Sequence, residues 1–438
     1  MSRTLLTAIA NQRARIGIIG LGYVGLPLAR AFAEAGFRVW GFDKDADKIA
    51  QLAKGEAYLK HLGEDSVRRL LAKGFTPSAT YDALAEMDAI LICVPTPLGK
   101  KQTPDLRAVL ETGDVIAKHL RKGQLVVLES STYPGTTSEE LAPRLAQSGL
   151  QPNRDFYLAY APEREDPGNK HFAMRDIPKI VGADVPAARA AAKALYGKVV
   201  RKVIAVADTR TAEAAKLTEN IFRAVNIAMV NELKMVFDKM GLDIWEVIAA
   251  ARSKPFGYMP FYPGPGLGGH CIPIDPFYLS YKAQQYGVES RFIALAGEIN
   301  TAQPAYVCAR LAAALRARKV KMKGARVLVV GLAYKPDIDD IRESPALALL
   351  ALLRAKGAQA QYHDPYVRVI PKTRAWGALH GLRSMPLSAE RVRRYDALII
   401  CTAHTKLDYD LFALHARLVV DTRNAMAGRR MTAQLVKA

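Results

Sequence analysis

The chain has 438 residues, of which 50% are apolar and 24% are charged. This length corresponds to about three domains of ~150 residues, and the composition excludes a disordered protein. Lys and Arg number 62 against 42 Asp and Glu, which gives a net charge of +20. That excess favours anionic partners such as phosphorylated small molecules. Since the basic residues are dispersed and no nucleic-acid-binding signature accompanies them, we interpret them as a solvated surface.

Cysteine usage and hydropathy restrict the class of protein further. Four scattered cysteines are too few for a disulfide framework or a zinc site. The longest strongly apolar run, Ala346–Leu353, is too short to cross a bilayer, and the first residues lack the pattern of a secretory signal. We therefore expect a cytoplasmic protein with no metal and no membrane or nucleic-acid partner.

The first segment alternates strands and helices. A short apolar strand, Ile16–Ile19, is followed by a glycine turn at Gly20–Gly25 and by helical spacing over Leu26–Ala35. A second strand, Phe37–Phe42, ends at Asp43. Further buried strands are predicted at 88–95 and 125–129. This alternation predicts an α/β fold with a parallel, doubly wound sheet.

The last segment repeats that layout. Val327–Gly331 matches the first strand and its glycine, and Gly357 precedes Asp364 by seven residues, as Gly36 precedes Asp43. Asp396–Cys401 matches the strand at 88–93. A match of this length and spacing predicts a second Rossmann-like domain.

A helical region joins the two halves. Thr211–Met240 lacks Gly and Pro and carries apolar residues at helical spacing, with Gly241 as its expected end. A second helix is predicted over about Ser290–Lys319, with Pro304 as a kink or break. The predicted domains are 1–205 for dinucleotide binding, 206–318 for the helical centre and 319–438 for the second Rossmann-like domain.

The glycine turn has the features of a dinucleotide site. Gly20 permits a tight turn, Gly22 lets a pyrophosphate approach the backbone, and Gly25 allows close packing of helix on strand. Asp43 ends the second strand, where its carboxylate binds ribose hydroxyls and repels a 2′-phosphate, so NAD is favoured over NADP. The predicted NAD contacts are Gly20, Gly22, Tyr23, Val24, Gly25, Asp43, Thr96, Thr132 and Arg342.

The second half differs at the equivalent turn. Ala333 stands where the first half has Gly22, and Pro336 where it has Gly25. Lys335, with Arg342, indicates a site for a different diphosphate, and an ordinary surface lysine is the alternative.

One loop stands out for its chemistry. The segment 263–276 is rich in Gly and Pro, and four of its glycines closely precede Cys271. Cys93 and Cys401 lie in predicted strands and Cys308 in a predicted helix, where cysteine is usually an inert small hydrophobe. The loop glycines are expected to clear space beside the thiol, so we predict Cys271 as a nucleophile.

Several long motifs occur in one order along the chain. They are GLGYVGLP (20–27), VPTP (94–97), ESST (129–132), APERE (161–165), EAAKLTENIFRAVNIA (213–228), PGPGLGGHCIPIDP (263–276) and GLAYKPDIDDIRESPA (331–346). Their pattern resembles the UDP-glucose/GDP-mannose dehydrogenase family, the nucleotide-sugar 6-dehydrogenases. The branch that acts on UDP-N-acetylhexosamines, especially UDP-N-acetylglucosamine, is the most similar around Cys271.

The resemblance implies a mechanism. Two NAD⁺ oxidise the sugar C6 alcohol to a carboxylate, through a thiohemiacetal and then a thioester on Cys271. In that pattern Lys216 and Asn220 stabilise the oxyanion or position water, and burial beside Lys216 would keep the base Glu163 ionised. Thr132 positions the water that Glu163 activates, and Asp275 holds the network. The predicted substrate contacts are Glu163, Lys216, Asn220, Tyr262, Gly268 and Lys335.

Some features depart from the family pattern or leave alternatives open. The arginine that many relatives carry just before the glycine loop is missing, and Arg252 lies upstream. His270 either tunes the thiol or packs against the fold. UDP-glucose, UDP-N-acetylgalactosamine and UDP-N-acetylmannosamine remain alternative substrates. A two-electron hydroxyacid-type dehydrogenase, or a non-catalytic NAD-binding or nucleic-acid-binding protein, is the rival interpretation. We expect a homodimer or a higher homo-oligomer.

Overall fold

A computed structural model describes residues 2–59, 63–99, 102–164, 172–269, 272–373 and 375–438. Contacts divide the chain into two compact units. Unit 1 comprises Met1–Glu219 with Phe277–Glu289, and unit 2 comprises Asn220–Pro276 with Ser290–Ala438. The predicted division into three domains stays a prediction.

Unit 1 is built on one sheet of eight strands within the described residues, in the order β3-β2-β1-β4-β5-β6-β7-β8. Neighbouring strands are parallel except at β6 and β7, which pair antiparallel. The strands are β1 Arg15–Ile19, β2 Arg38–Phe42, β3 Phe75–Ser78, β4 Ala89–Ile92, β5 Leu125–Leu128, β6 Tyr157–Tyr160, β7 Lys179–Gly182 and β8 Val203–Val206.

Helices cover both faces of this sheet. Successive residues of β4 alternate between two apolar cores, with Leu91 in one and Ile92 in the other, so both faces of the sheet are buried. The helices are α1 Ser2–Ala10, α2 Gly25–Glu34, α3 Ala46–Ala53, α4 Glu64–Ala72, α5 Arg107–His119, α6 Ala142–Ala146 and α7 Pro186–Tyr196.

The long helix α8, Thr209–Met240, begins in unit 1 and ends in unit 2. It starts two residues before the predicted position, and it ends at Gly241, whose φ of +74° is a conformation that glycine adopts without strain. Two more helices follow it, α9 Ile244–Ala251 and α10 Asp275–Gln285. The predicted helix around Pro304 is α11, Arg291–Ala317, which continues through the proline.

Unit 2 contains a parallel sheet in the order β10-β9-β11-β12-β13. Its apolar strands are buried on both faces by separate cores. The two doubly wound sheets, with a helical segment between them in the sequence, confirm the predicted fold class. The remaining elements are β9 Arg326–Val330, α12 Pro345–Ala355, β10 Gln359–His363, α13 Ala389–Arg393, β11 Ala397–Ile400, α14 Tyr409–His415, β12 Leu418–Asp421 and β13 Gln434–Lys437.

Among the described residues, none of the helices combines the length and the apolar character that crossing a membrane requires.

Candidate active site

The carboxyl ends of parallel strands bring the predicted residues of unit 1 to one edge of its sheet. β1, β4, β5 and β6 are parallel neighbours. The glycine turn follows β1, Thr96 follows β4, Thr132 follows β5, and Glu163 follows β6. Ligands of open α/β sheets bind at such an edge.

The glycine turn has the backbone that a dinucleotide requires. Gly20 has a φ of +92°, and a Cβ there would lie 2.7 Å from the Cys93 carbonyl oxygen. A Cβ on Gly25 would overlap the carbonyl group of Gly20, so helix α2 packs closely only with glycine there. A Cβ on Gly22 would meet no atom within 4 Å, which leaves this backbone open to an approaching pyrophosphate. Tyr23 and Val24 follow directly and lead into α2.

Asp43 stands at the end of β2 beside this turn. Its carboxylate accepts hydrogen bonds from the backbone N–H groups of Leu21, at 2.9 Å, and Asp45, at 3.0 Å. Each carboxylate oxygen can accept a further hydrogen bond, so the fixed side chain retains capacity for ribose hydroxyls. The turn and the acid together fit NAD, which supplies the hydride acceptor when bound.

Thr132 is fully buried, and its hydroxyl has no hydrogen-bond partner within the described part of the chain. A buried hydroxyl without a partner is uncommon, and it indicates a place for a water or a ligand atom. Thr96 is placed differently, because its hydroxyl donates to the Ser131 carbonyl oxygen at 2.8 Å. Thr96 therefore braces the backbone next to Thr132.

Glu163 is paired with a cation that the sequence reasoning did not identify. The Lys179 Nζ lies 3.1 Å from Glu163 Oε2 and 2.6 Å from Glu129 Oε2. The backbone N–H of Arg164 donates to the other oxygen of Glu163 at 2.7 Å. Within the described part of the chain Lys179 is the lysine in contact with Glu163, and an effect of Lys216 on the ionisation of Glu163 stays a prediction. Glu129 is the first residue of the ESST motif, but the motif does not indicate that Lys179 is its partner.

A second buried carboxylate, Glu213, was also missed. It accepts hydrogen bonds from the Gly135 N–H, at 2.6 Å, and from the Thr137 N–H, at 2.8 Å, and from the Thr137 hydroxyl, at 2.6 Å. Burial raises the pKa of Glu213 to about 7 despite these hydrogen bonds. Glu213 therefore ties helix α8 to the loop that follows Thr132.

In unit 2 the structure brings together two of the predicted residues. The Asn220 Nδ2 donates to Asp275 Oδ2 at 2.6 Å, and both side chains are buried. The Arg223 guanidinium donates to the Asn220 Oδ1. The amide is thereby held in one orientation, with one N–H still available for an oxyanion. Lys216 lies one turn earlier on α8, in the part belonging to unit 1, and is 5% exposed.

The loop glycines prove to be required by packing within unit 2. A Cβ on Gly264 would overlap the Arg423 guanidinium, and one on Gly268 would lie 2.6 Å from Tyr334 Cβ. Gly269 has a φ of +89° and also packs on Tyr334. Contacts with protein atoms, rather than ligand access alone, account for these glycines. His270 and Cys271 lie outside the described residues.

Tyr262 is 43% exposed, and its ring stacks on Trp245 with centroids 5.5 Å apart. The other three cysteines, Cys93, Cys308 and Cys401, are buried. Burial raises the pKa of the Cys401 thiol to about 12, and it also raises the pKa values of the other two. Such thiols are poor nucleophiles.

Asp364 stands where the first half has Asp43, and its carboxylate binds groups of the protein itself. Asp364 accepts hydrogen bonds from the backbone N–H groups of Leu332 and Ala333, at 2.6 Å and 3.0 Å, and lies 3.0 Å from His404 Nε2. Its other oxygen accepts from the backbone N–H groups of Tyr366 and Val367, so both oxygens of this carboxylate are bound within the protein. At the same turn, Lys335 lies over the Tyr334 ring and Arg342 pairs with Asp340 at 2.6 Å.

Within the described residues, no group of three or more His, Cys, Asp or Glu side chains is arranged to hold a metal ion.

Three domain models of the UDP-glucose/GDP-mannose dehydrogenase family match the chain. They are its NAD binding domain over residues 14–200, its central domain over 210–302 and its UDP binding domain over 328–428. Together they cover most of the sequence, in the order that the family requires.

Similar proteins agree with this assignment. A UDP-N-acetyl-D-glucosamine 6-dehydrogenase of Pseudomonas aeruginosa is 34% identical, covering 90% of this chain and 91% of the relative. An NDP-N-acetyl-D-galactosaminuronic acid dehydrogenase of Ralstonia nicotianae is 35% identical, covering 95% of this chain and 97% of the relative. The solved structure of a UDP-D-ManNAc dehydrogenase from Pyrococcus horikoshii aligns with a TM-score of 0.86 at 31% identity, covering 96% of this chain and 99% of that structure's chain. The chain therefore belongs to the UDP-glucose/GDP-mannose dehydrogenase family of NAD-dependent oxidoreductases that act on nucleotide sugars.

Proposed function

We propose that this enzyme oxidises the C6 alcohol of UDP-N-acetylglucosamine to the carboxylate, in two steps that each reduce one NAD⁺. The observation that carries the site assignment is the buried hydrogen bond between Asn220 and Asp275, because Asp275 lies only four residues after Cys271 in the chain. This bond ties the Asn220 amide to an acid that stands four residues after the predicted nucleophile in the sequence. The sugar assignment rests on the loop motif and on the Pseudomonas aeruginosa relative.

The chain's own residues divide the work. Cys271 adds to the C6 aldehyde and retains it as a thiohemiacetal, whose oxidation gives a thioester. Lys216 and Asn220 stabilise negative charge on the C6 oxygen, and Asp275 orients Asn220. Glu163 takes a proton from water that the Thr132 hydroxyl orients, and the unpartnered state of that hydroxyl supports this role.

The substrate is tested with a panel of UDP-sugars. UDP-glucose, UDP-N-acetylglucosamine, UDP-N-acetylgalactosamine, UDP-N-acetylmannosamine and GDP-mannose are compared by NADH formation. We expect the highest kcat/KM with UDP-N-acetylglucosamine and two NADH per sugar. Turnover of UDP-glucose alone would show that the N-acetylhexosamine assignment is wrong, and one NADH per sugar would favour a two-electron dehydrogenase.

The nucleophile is tested by Cys271→Ser, with Cys308→Ser, at a buried position of helix α11, as the matched control. Loss of uronate formation with NAD binding intact is expected only for Cys271→Ser. Uronate formation at the original rate in that variant would contradict the assignment.

We further propose that the chain forms a homodimer through helix α8. Phe222, Met229 and Val236 are spaced by seven residues, so they share one helix face, and they are 48%, 44% and 47% exposed. A stripe of exposed apolar side chains supports burial against a second copy. Light scattering on a sizing column should give twice the chain mass, and Met229→Glu should halve it; a monomeric parent protein would contradict the dimer.

We place the enzyme in the cytoplasm. The three described cysteines are free thiols, as expected in a reducing compartment. Cell fractionation with antibody detection would test this, and recovery outside the cytoplasm would contradict it.

A further inference from the structure

Lys179, the first residue of β7, contacts Glu163 with its side chain. β6 and β7 are antiparallel, with Tyr160 paired to Gly182. Glu163 follows Tyr160 by three residues, and Lys179 precedes Gly182 by three. Because the two strands run in opposite directions, both residues lie on the same side of this pair, and the Lys179 Nζ is 3.1 Å from Glu163 Oε2.

The buried Lys179 ammonium group contacts two carboxylates at this place. The Lys179 side chain is 6% exposed, and its Nζ contacts Glu129 at 2.6 Å and Glu163 at 3.1 Å. The Glu129 side chain is fully buried, whereas that of Glu163 is 14% exposed. The Tyr196 hydroxyl donates to the second oxygen of Glu129. A chain of contacts therefore runs from Tyr196 in the core through Glu129 and Lys179 to Glu163 at the sheet edge.

We propose that Lys179 is a positioning residue for Glu163, which it keeps ionised and oriented toward water, while Glu129 and Tyr196 hold Lys179 in place. This inference rests on the proposed role of Glu163 as a base. In the hydrolytic step, the water oxygen bonds to the acyl carbon, the carbon–sulfur bond breaks, and the Cys271 sulfur leaves as thiolate. One water proton passes to Glu163, and the other leaves the carboxylic acid product for solvent.

Among the described residues, the other ionisable groups near Glu163 are bound elsewhere or uncharged. The Arg164 side chain turns to Glu219, at 2.6 Å, and to the Pro178 carbonyl oxygen, and only its backbone N–H reaches Glu163. The Cys93 thiol is buried beside the cluster, and burial, with the charge of Glu129, holds its pKa well above the ordinary value. The phenol of Tyr196 is likewise neutral, because burial raises its pKa well above the ordinary value.

Two substitutions should shift the pH at which Glu163 binds a proton in opposite directions. Lys179→Met leaves two carboxylates facing each other without a cation, so Glu163 binds a proton at a higher pH. Glu129→Gln removes the competing negative charge, so Lys179 attracts Glu163 alone and Glu163 stays ionised at a lower pH. Lys179→Arg keeps the charge and is the matched conservative control.

The measured quantity is the pH dependence of acyl-enzyme decay, followed by rapid quenching after the NADH burst. We expect the acid limb to rise by about 1 to 3 pH units in Lys179→Met, to fall by about one unit in Glu129→Gln, and to stay near its original position in Lys179→Arg. Thermal unfolding shows whether each variant is folded. If Lys179→Met does not fold, Glu129→Gln alone still tests the inference, because its shift has the opposite sign.

Glu163→Gln separates the two levels of the proposal. Slow acyl-enzyme decay in Glu163→Gln, with unshifted acid limbs in the folded Lys179 and Glu129 variants, would overturn the role of Lys179 only. Decay at the original rate in Glu163→Gln would overturn the role of Glu163 as the base, and with it the inference that rests on it.

Discussion

His404 and Asp364 form a pair with both side chains fully buried, in which His404 Nε2 lies 3.0 Å from Asp364 Oδ2. The His404 Nδ1 accepts from the Asp337 N–H at 3.0 Å, so Nε2 is the nitrogen that donates to Asp364. Burial alone would raise the pKa of Asp364, but the hydrogen bond and charge of His404 and the backbone N–H groups lower it overall. The pair locks the turn of the second half into one conformation.

Asp364→Asn should lower the free energy of unfolding by about 1 to 3 kcal/mol at pH 7, because an amide replaces an acceptor of several buried hydrogen bonds. The folded-state pKa lies below the ordinary 3.8, so this stability is present above pH 3.8 and is lost as the pH falls through the folded-state value. Urea unfolding of parent and variant should therefore differ at pH 7 and converge in acid. Equal stability at pH 7 would contradict the structural role.

Asp43→Asn should weaken NAD binding about tenfold or more, since a charged acceptor for the ribose hydroxyls becomes neutral. The change should also reduce discrimination against NADP, whose 2′-phosphate the carboxylate repels. Steady-state KM values for both cofactors measure the effect. Asp47→Asn, at an exposed position in the first turn of α3, is the control and should leave both values unchanged. An unaltered ratio in Asp43→Asn would show that Asp43 does not select the cofactor.

Glu213→Gln should remove a pH dependence of stability. Because burial raises the pKa of Glu213 from 4.5 to about 7, its contribution is fully present below pH 4.5 and is lost as the pH rises through 7. The parent should lose up to about 3 kcal/mol over this window relative to the variant. Denaturant unfolding at several pH values gives the difference. Glu232→Gln, exposed on the same helix, is the control; parallel profiles for Glu213→Gln and parent would contradict the prediction.

Lys234→Met should stabilise the protein at neutral and acidic pH. Lys234 is 3% exposed, lies over the Tyr306 ring at 4.7 Å, and its Nζ has no hydrogen-bond partner among the described residues. Burial lowers its pKa from 10.5 to about 7. Its contribution is therefore present above pH 10.5 and is lost as the pH falls through 7.

Thermal and urea unfolding at pH 6 should show Lys234→Met more stable by a few kcal/mol, with the gain shrinking toward pH 10. Lys282→Met is the contrasting control, because Lys282 is buried but paired with Glu139 at 2.7 Å. That variant should gain nothing at pH 6. A Lys234→Met protein less stable than its parent at pH 6 would show that Lys234 makes a favourable buried contact.

Local pattern was sufficient to locate the strands β1, β2, β4, β5, β9 and β11 and the helices α2, α8 and α11, whereas β3, β6, β7 and β8 were not predicted. The run Ile16–Ile19, the glycine turn and Asp43 follow one another within a single strand-turn-helix-strand unit, so their geometry depends on near neighbours. Helix α8 was predicted within two residues, since Gly241 ends it by its own backbone conformation. Repetition of the unit was enough to indicate a second sheet.

Residues distant in the sequence could not be paired in this way. The sequence indicated a carboxylate at Glu163, but it did not indicate Lys179, which the antiparallel strand β7 brings to 3.1 Å from it. The loop glycines were linked to ligand access beside Cys271, which stays a prediction, and the sequence did not reveal that Tyr334 and Arg423 pack against them. Nothing in the sequence distinguished Glu213 from other helical glutamates, because its partner Thr137 is distant in the chain.

By itself the sequence determined the first strand-turn-helix-strand unit and the long helix α8, that two Rossmann-like halves are present, and which turn is suited to NAD, because backbone conformation and apolar periodicity are local properties. Tertiary structure decided which charges meet, which acid stays available to a ligand and which is locked, and which hydroxyl is left without a partner. Those outcomes depend on strand direction and on burial, and burial sets the energetic cost of each charge only after distant segments have packed together.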